Sequence, residues 1–419
     1  MLNDIKPEEH GARGADMAAA VGTCVHCGFC LPACPTYQEL EQEQDSPRGR
    51  IILMKLVLEG KLEAKEAAPH IDRCLGCLAC VTHCPSGVPY GDLISSYRDE
   101  QREKGNKPRS LATILARMTL PYPQRFKIAA TVGRMTKGLK WLAPKSLRPM
   151  LDLVPDELPP AQRLPEFTPA IGKRKGRVAL QAGCAQQVLA PDINASALRV
   201  LALNGIEVVI PAQQGCCGAL SWHTGQGDEA AQFARQLIAS VPQDVDYFVT
   251  TAAGCGSAIH EYALLLRRTD MEAAAAALAK KTLDISVYLD QIELEKIPAL
   301  ESPLRVAYHD ACHLAHAQGV RAAPRRLLER IPGLELVSLP DADTCCGSAG
   351  TYNIEQPEIA GKLGVRKAQA VLDTGASAVV SGNIGCLVQI EKHLRNRSDR
   401  VAILHTVQIL DRAYRKNLR

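Results

Sequence analysis

No run of apolar residues in this chain approaches the ~20 that a helix needs to cross a hydrocarbon core. The first ten residues, Met1 to His10, are polar and mixed in charge, so no secretory leader is expected. Together these absences read as a cytoplasmic protein. Net charge is also nearly absent. Against 49 basic residues stand 45 acidic ones, leaving +4, which makes no case for nucleic acid as a partner. Neither a Ser–His–Asp arrangement nor a pair of carboxylates can be assembled, so no catalytic residue is assigned. A dinucleotide fingerprint is missing too. The nearest approach, Gly225-Gln-Gly227-Asp-Glu-Ala230, follows a Trp-His-Thr loop rather than a strand and reads as a helix N-terminus.

What the chain does have is cysteine, sixteen in 419 residues. Eight fall in two runs, Cys24-Val-His-Cys27-Gly-Phe-Cys30-Leu-Pro-Ala-Cys34-Pro35 and Cys74-Leu-Gly-Cys77-Leu-Ala-Cys80-Val-Thr-His-Cys84-Pro85. Each is C-x2-C-x2-C-x3-C-P. A [4Fe–4S] cluster needs four thiolates; three come from one tight loop and the fourth crosses from the other run. The spacing therefore assigns Cys24, Cys27, Cys30 and Cys84 to one cluster, and Cys74, Cys77, Cys80 and Cys34 to a second. Zinc knuckles show paired C-x2-C units instead. Two neighbouring clusters form a one-electron relay. Such thiols are ligands rather than a disulfide framework.

Between the runs, Ser46 suits an N-cap, Pro47 a first helical position and Gly60 a C-cap. A second helix is expected over 62–72. Residues 1–105 thus read as an all-α ferredoxin domain with two clusters. Arg48 and Arg50 either lie beside a cluster, where positive charge raises its potential, or belong to a solvated helix face. His26 and His83, inside the loops, are expected near the clusters but not as ligands.

Residues 106–172 read as a basic helical connector and Pro-rich linker. From 104 to 151 there are eleven Lys and Arg (Lys107 and Arg109 among them) and no Asp or Glu. Helices are expected over 109–119 and 123–142. The stretch either docks on anionic lipid or an acidic partner, or is a solvated connector.

From 177 the pattern becomes α/β, and it occurs twice, in 173–300 and 301–419. Strands over 177–181, 206–210 and 246–251 precede Cys184, the Cys216–Cys217 pair and Cys255. Strands over 304–308, 334–337 and 378–381 precede Cys312, the Cys345–Cys346 pair and Cys386. Equivalent cysteines are offset by 128, 129 and 131 residues. Each copy is expected to be an open parallel sheet with its four cysteines meeting beyond the strands' carboxyl ends. Those four thiolates can hold a further Fe–S cluster or zinc; a metal-free reading makes them small residues in close turns. His309, His313 and His316 flank Cys312, and His223 follows the first pair. They are candidates for a non-thiolate ligand or a proton relay, or are ordinary hydrogen-bonded loop residues.

The C-C-G loops resemble the CCG cysteine-rich domain of heterodisulfide reductase, anaerobic glycerol-3-phosphate dehydrogenase and the lactate- and glycolate-oxidising systems. Cys34-Pro-Thr-Tyr37, Pro47-Arg-Gly-Arg-Ile51, Gly183-Cys-Ala-Gln186, Gly215-Cys-Cys-Gly-Ala219 and Cys345-Cys-Gly-Ser-Ala-Gly-Thr-Tyr352 are similar to the iron–sulfur subunit family of glycolate oxidase (glycolate dehydrogenase). That resemblance runs from about residue 20 to 415. It implies a complex with two flavin-binding subunits that oxidise glycolate to glyoxylate, with electrons leaving through this chain to an acceptor such as a membrane quinone. Flavin on a partner would split electron pairs into single steps. It also implies a peripheral place on the cytoplasmic face of the inner membrane. The equivalent subunit of a lactate or glycerol-3-phosphate dehydrogenase is the alternative, as is a heterodisulfide-reductase-like catalytic subunit. One departure counts against the last. The family's closing C-x2-C ends here in Ala258 and Gln389, so each copy lacks the fifth thiolate of a double cluster.

Overall fold

The structure, a computed structural model, describes residues 1–106, 110–395 and 401–415; Lys107 and Arg109 lie outside the described residues. The N-terminal part is helical. Helices Gly14–Thr23, Pro47–Leu58, Ala64–Asp72 and Tyr90–Glu103 surround a core that includes Met17, Ile51, Met54, Ile71, Leu93 and Ile94. The Ser46 side chain accepts a hydrogen bond from the Gly49 amide at 3.0 Å, which fixes where the second of these helices starts.

The connector forms helices Leu111–Thr119 and Pro123–Thr136, followed by a 3-10 segment, Lys137–Leu142. The expected helix over 123–142 therefore loosens after Thr136, where Leu139 leaves helical geometry. Thr113 donates to Glu355 and Arg117 to Glu229, both at 3.0 Å, so the connector is tied to both α/β copies.

The first sheet contains β1 (Phe167–Thr168), β2 (Gly176–Gln181), β3 (Ile206–Val209), β4 (Tyr247–Thr250) and β5 (Thr282–Asp284), in the order β1-β3-β2-β4-β5. Only β1 runs antiparallel. It begins the sheet inside the stretch expected to be linker. The second sheet contains β6 (Leu304–Tyr308), β7 (Leu334–Val337), β8 (Ala378–Ser381) and β9 (Ala402–His405), in the order β7-β6-β8-β9, all parallel. The duplication extends to register. Gly176 pairs with Ile206 as Leu304 pairs with Leu334, and Val178 with Tyr247 as Val306 with Ala378. Strands buried on both faces read as near-continuous apolar runs, and Val178–Leu180 and Val306–Tyr308 are fully enclosed. Each copy also has a fourth strand that the sequence pattern does not announce. β5 and β9 are short, and each ends in the residue, Asp284 or His405, that caps the next helix.

The copies pack with reciprocal helices. Asp192–Leu203 of the first lies on Thr406–Tyr414 of the second, and Ile285–Gln291 of the first on Ala322–Glu329 of the second. Val178, Leu180 and Leu201 share one core with Val306, Leu327 and Leu410. At its edge, partly exposed Arg199 makes a forked pair with buried Asp411, at 2.9 and 2.6 Å.

Candidate iron–sulfur centres

The two N-terminal cysteine runs adopt the same loop. The residue before the second cysteine and the one after it have left-handed backbones in both: His26 (φ 57°) and Gly28 (φ 88°) in the first, Gly76 (φ 63°) and Leu78 (φ 61°) in the second. A bulky residue rarely sits there. His26 and Leu78 do so because three sulfurs must turn inward from one short segment.

The loops enclose two adjoining cavities. One is lined by Cys24, Cys27, Cys30 and Cys84, and also by Cys80, which lies between the two. The other is lined by Cys34, Cys74, Cys77 and Cys80. The fourth cysteine of each run thus lies with the first three of the other. The remaining walls are largely apolar, among them Ile51, Val88, Leu75 and Tyr90. Four sulfur donors in apolar surroundings fit a [4Fe–4S] cluster.

Arg50 is buried against the second cavity, at 1% exposure. It is not part of a solvated face. Its guanidinium donates to Thr36 Oγ1 (3.0 Å), to the His70 carbonyl (2.8 Å) and to Asp45 Oδ1 (3.3 Å), and reaches Cys34 Sγ at 3.8 Å. Asp45 is also held by Arg73 at 3.0 Å. Burial raises the Cys74 thiol, but the positive charges of Arg50 and Arg98, with hydrogen bonds from Tyr90 and Gly76, together hold that thiol below its usual range. Tyr90 Oη (3.6 Å) and the Gly76 amide (3.4 Å) donate to Cys74 Sγ. Arg48 is partly exposed over the first cavity and donates to the His26 carbonyl at 3.1 Å. His83 contacts the Ala79 carbonyl and His26 the Met1 sulfur.

In both α/β copies the cysteines gather at the carboxyl ends of the central strands, where the strand order reverses. The Cys-Cys-Gly loops match atom for atom: Gly218 N donates to Cys216 Sγ and Gly347 N to Cys345 Sγ, each at 3.4 Å. Both glycines have positive φ, and a Cβ on Gly347 would lie 2.6 Å from the Ala360 carbonyl oxygen. In the first copy Cys184 and Cys216 sulfurs are 3.6 Å apart.

The second copy differs in one donor. His309, fully buried, stands at the end of β6 in the place that Gln181 holds at the end of β2. A ring nitrogen of His309 and the sulfurs of Cys346 and Cys386 all lie within 4.8 Å of one another. Hydrogen bonds from Cys345 and Cys386, then from His309, push the Cys346 thiol well down. The two positions that lack a fifth cysteine are otherwise engaged. Ala258 is in the core, and Gln389 bonds the Ala360 carbonyl and Asn353, each at 3.1 Å.

The two copies do not present separate mouths. Cys184, Cys216, Cys217, Cys255, Cys312, Cys345, Cys346 and Cys386 all border one cavity of about 270 Å³, which also meets the Cys74 loop. Cys77 packs in one cluster with Cys312 and Cys345, so the second copy lies next to the N-terminal cavities. His313 is half-buried there with its ring 5.0 Å from that of His223, and desolvation, with His223 next, lowers it to about 4. His223 faces Glu261 at 3.5 Å. His316 is occupied by Thr82 (2.8 Å) and the Asp343 carbonyl (3.1 Å). Arg98 has no sequence signal beyond a charged helix position. It ties these parts together by donating to the Cys74 and Ile71 carbonyls and to the His223 carbonyl, at 2.6, 3.0 and 3.0 Å.

Comparison with known proteins agrees with this architecture. The family described as "4Fe-4S dicluster domain" matches residues 20–88, and the "Cysteine-rich domain" family matches 178–260 and 306–391. The fold and its cysteines therefore define an iron–sulfur electron-transfer protein with a dicluster domain followed by two cysteine-rich domains. A "Probable glycolate oxidase iron-sulfur subunit" of Bacillus subtilis is 38% identical over 92% of both chains, and the "Glycolate oxidase iron-sulfur subunit" of Escherichia coli 35% over 97% of both. One fumarate reductase (CoM/CoB) subunit, from Methanothermobacter marburgensis, is 28% identical over 99% of this chain and 75% of its own length. The chain belongs to the family of glycolate oxidase iron–sulfur subunits.

Proposed function

We propose that this chain takes single electrons from two flavin-binding partner subunits that oxidise glycolate to glyoxylate, and passes them to a membrane quinone on the cytoplasmic face of the inner membrane. Cys24, Cys27, Cys30 and Cys84 would hold one [4Fe–4S] cluster, and Cys74, Cys77, Cys80 and Cys34 the other. When bound, such clusters accept and release one electron at a time. The protein supplies their surroundings. Arg50, Tyr90 and the loop amides direct positive charge and hydrogen bonds at the sulfurs, which favours the reduced state. At least one cysteine-rich copy would hold a further metal, as an Fe–S cluster or zinc. The second copy has the better donor set in Cys312, Cys345, Cys346, Cys386 and His309, while the first offers Cys184, Cys216, Cys217 and Cys255.

The observation that carries this reading is that Cys77 packs in one buried cluster with Cys312 and Cys345. It gives the relay a continuous course from the helical domain into the second copy. The test is anaerobic purification of the native complex with its flavoproteins, followed by glycolate, lactate and glycerol-3-phosphate in turn. Glycolate should bleach the cluster absorbance. Bleaching by lactate or glycerol-3-phosphate alone would replace the substrate.

A further inference from the structure

We infer that the connector helix Pro123–Thr136 and the turn after it are a docking surface for an anionic lipid bilayer. Ten of the eighteen large apolar side chains exposed among the described residues fall between 111 and 142, a concentration in one stretch of chain that calls for a partner. Ile128, Val132 and Met135 recur at helical spacing within Pro123–Thr136, Leu139, Trp141 and Leu142 follow in the 3-10 segment, and each of the six is more than half exposed. The helix needs none of them for its own packing. Its inward face is small, with Ala130 buried and Gly133 set against Val154 and Leu151.

The charge around this row is mostly positive, with Asp152 and Asp156 taken up by Lys140 and Lys137. Arg125, Lys127, Arg134 and Lys145 are exposed beside it, and Lys127, Arg134 and Lys145 have no carboxylate partner among the described residues. No Asp or Glu occurs from 104 to 151. Protein interfaces are enriched in aromatics, Met and Arg and depleted in lysine; Met135, Trp141, Arg125 and Arg134 suit either kind of partner, and the lysines Lys127, Lys137, Lys140 and Lys145 favour lipid. An aliphatic row flanked by cations, with an indole at one end, fits an interfacial helix whose apolar side enters the acyl boundary while its cations meet lipid phosphates. No described helix is long and apolar enough to cross a membrane, so the contact would lie in the plane of the surface. The inference rests on the proposed membrane acceptor only for its setting, and its test uses no substrate, so either can fail alone.

The test is flotation of the full-length protein, clusters intact, with vesicles of phosphatidylcholine alone or mixed with phosphatidylglycerol. The protein should float with the mixed vesicles and be released by salt, because exposed charges are screened within about 10 Å at 0.1 M. A Lys127→Gln, Arg134→Gln, Lys145→Gln variant should bind about a hundredfold more weakly, at about fivefold per cation. An Ile128→Ser, Met135→Ser, Leu139→Ser variant should stay at the bottom of the gradient with its iron content and unfolding temperature unchanged. Indifference of the parent to vesicle charge, or flotation of the serine variant like the parent, overturns the inference. So does a serine variant that loses its flavoprotein partners while the parent ignores vesicles, which would make the patch a subunit interface.

Discussion

Replacing Arg50 by Gln should lower the reduction potential of the cluster assigned to Cys34, Cys74, Cys77 and Cys80. The guanidinium approaches Cys34 Sγ to 3.8 Å and is screened from water at 1% exposure. At that distance, with an effective dielectric near 20, one charge acts on another with about 4 kcal/mol. For a single electron this ceiling is roughly 180 mV, since a tenfold change is about 59 mV. An added electron is spread over the whole cluster, and Arg98 stays in place, so a third to a half of the ceiling is expected, ~60–90 mV. Asp45 keeps its pair with Arg73 in the variant, so the buried carboxylate is not left alone. Arg50→Lys retains the charge and should restore most of the shift. The assay is a redox titration of the intact protein followed by electron paramagnetic resonance. If the Gln variant keeps its iron and its fold yet titrates within ~20 mV of the parent, Arg50 does not act electrostatically on this centre.

Replacing Cys84 by Ser should alter the spectrum of the cluster held by Cys24, Cys27 and Cys30; a change confined to the cluster of Cys74, Cys77 and Cys80 would reject the crossed pairing. His309→Ala should reduce total metal per chain while the signals of the N-terminal clusters persist, and an unchanged metal count would remove His309 from the donor set. Gly347→Ala should destabilise the protein by ~1–3 kcal/mol, because φ is positive and the new methyl meets the Ala360 carbonyl. Gly218→Ala should cost less, its nearest contact being 3.1 Å rather than 2.6 Å. Thermal melts that reverse this order would contradict the comparison.

The cysteine loops were legible in the sequence because sulfur spacing is dictated by cluster size, and no other arrangement repeats four cysteines and a proline in this way. The duplication was legible for a similar reason: the cysteine offsets return as strand registers. Other parts depend on distant contacts and leave no local trace. β5 and β9 are three and four residues long, too short to show a period, and they exist because β4 and β8 offer an edge to pair with. Phe167–Thr168 sits in Pro-rich sequence and becomes a strand only by pairing with Val208–Val209. Arg50 could not be told from a solvated arginine until Asp45, Thr36 and the His70 carbonyl closed around it. That the two sets of four cysteines share one cavity follows from how the copies pack, which no spacing within either copy encodes.

The reciprocal packing of the two α/β copies is the geometry of a symmetric dimer, except that here both halves are parts of one polypeptide. In a dimer of identical subunits any change on one side must appear on the other. Fusion removes that constraint. His309 can stand where its counterpart keeps Gln181, and only the second copy needs to fit the surface around Cys77. A structure with a two-fold axis has no preferred end from which to be charged. In the proposed relay the second copy, which packs beside Cys77, would be reached before the first.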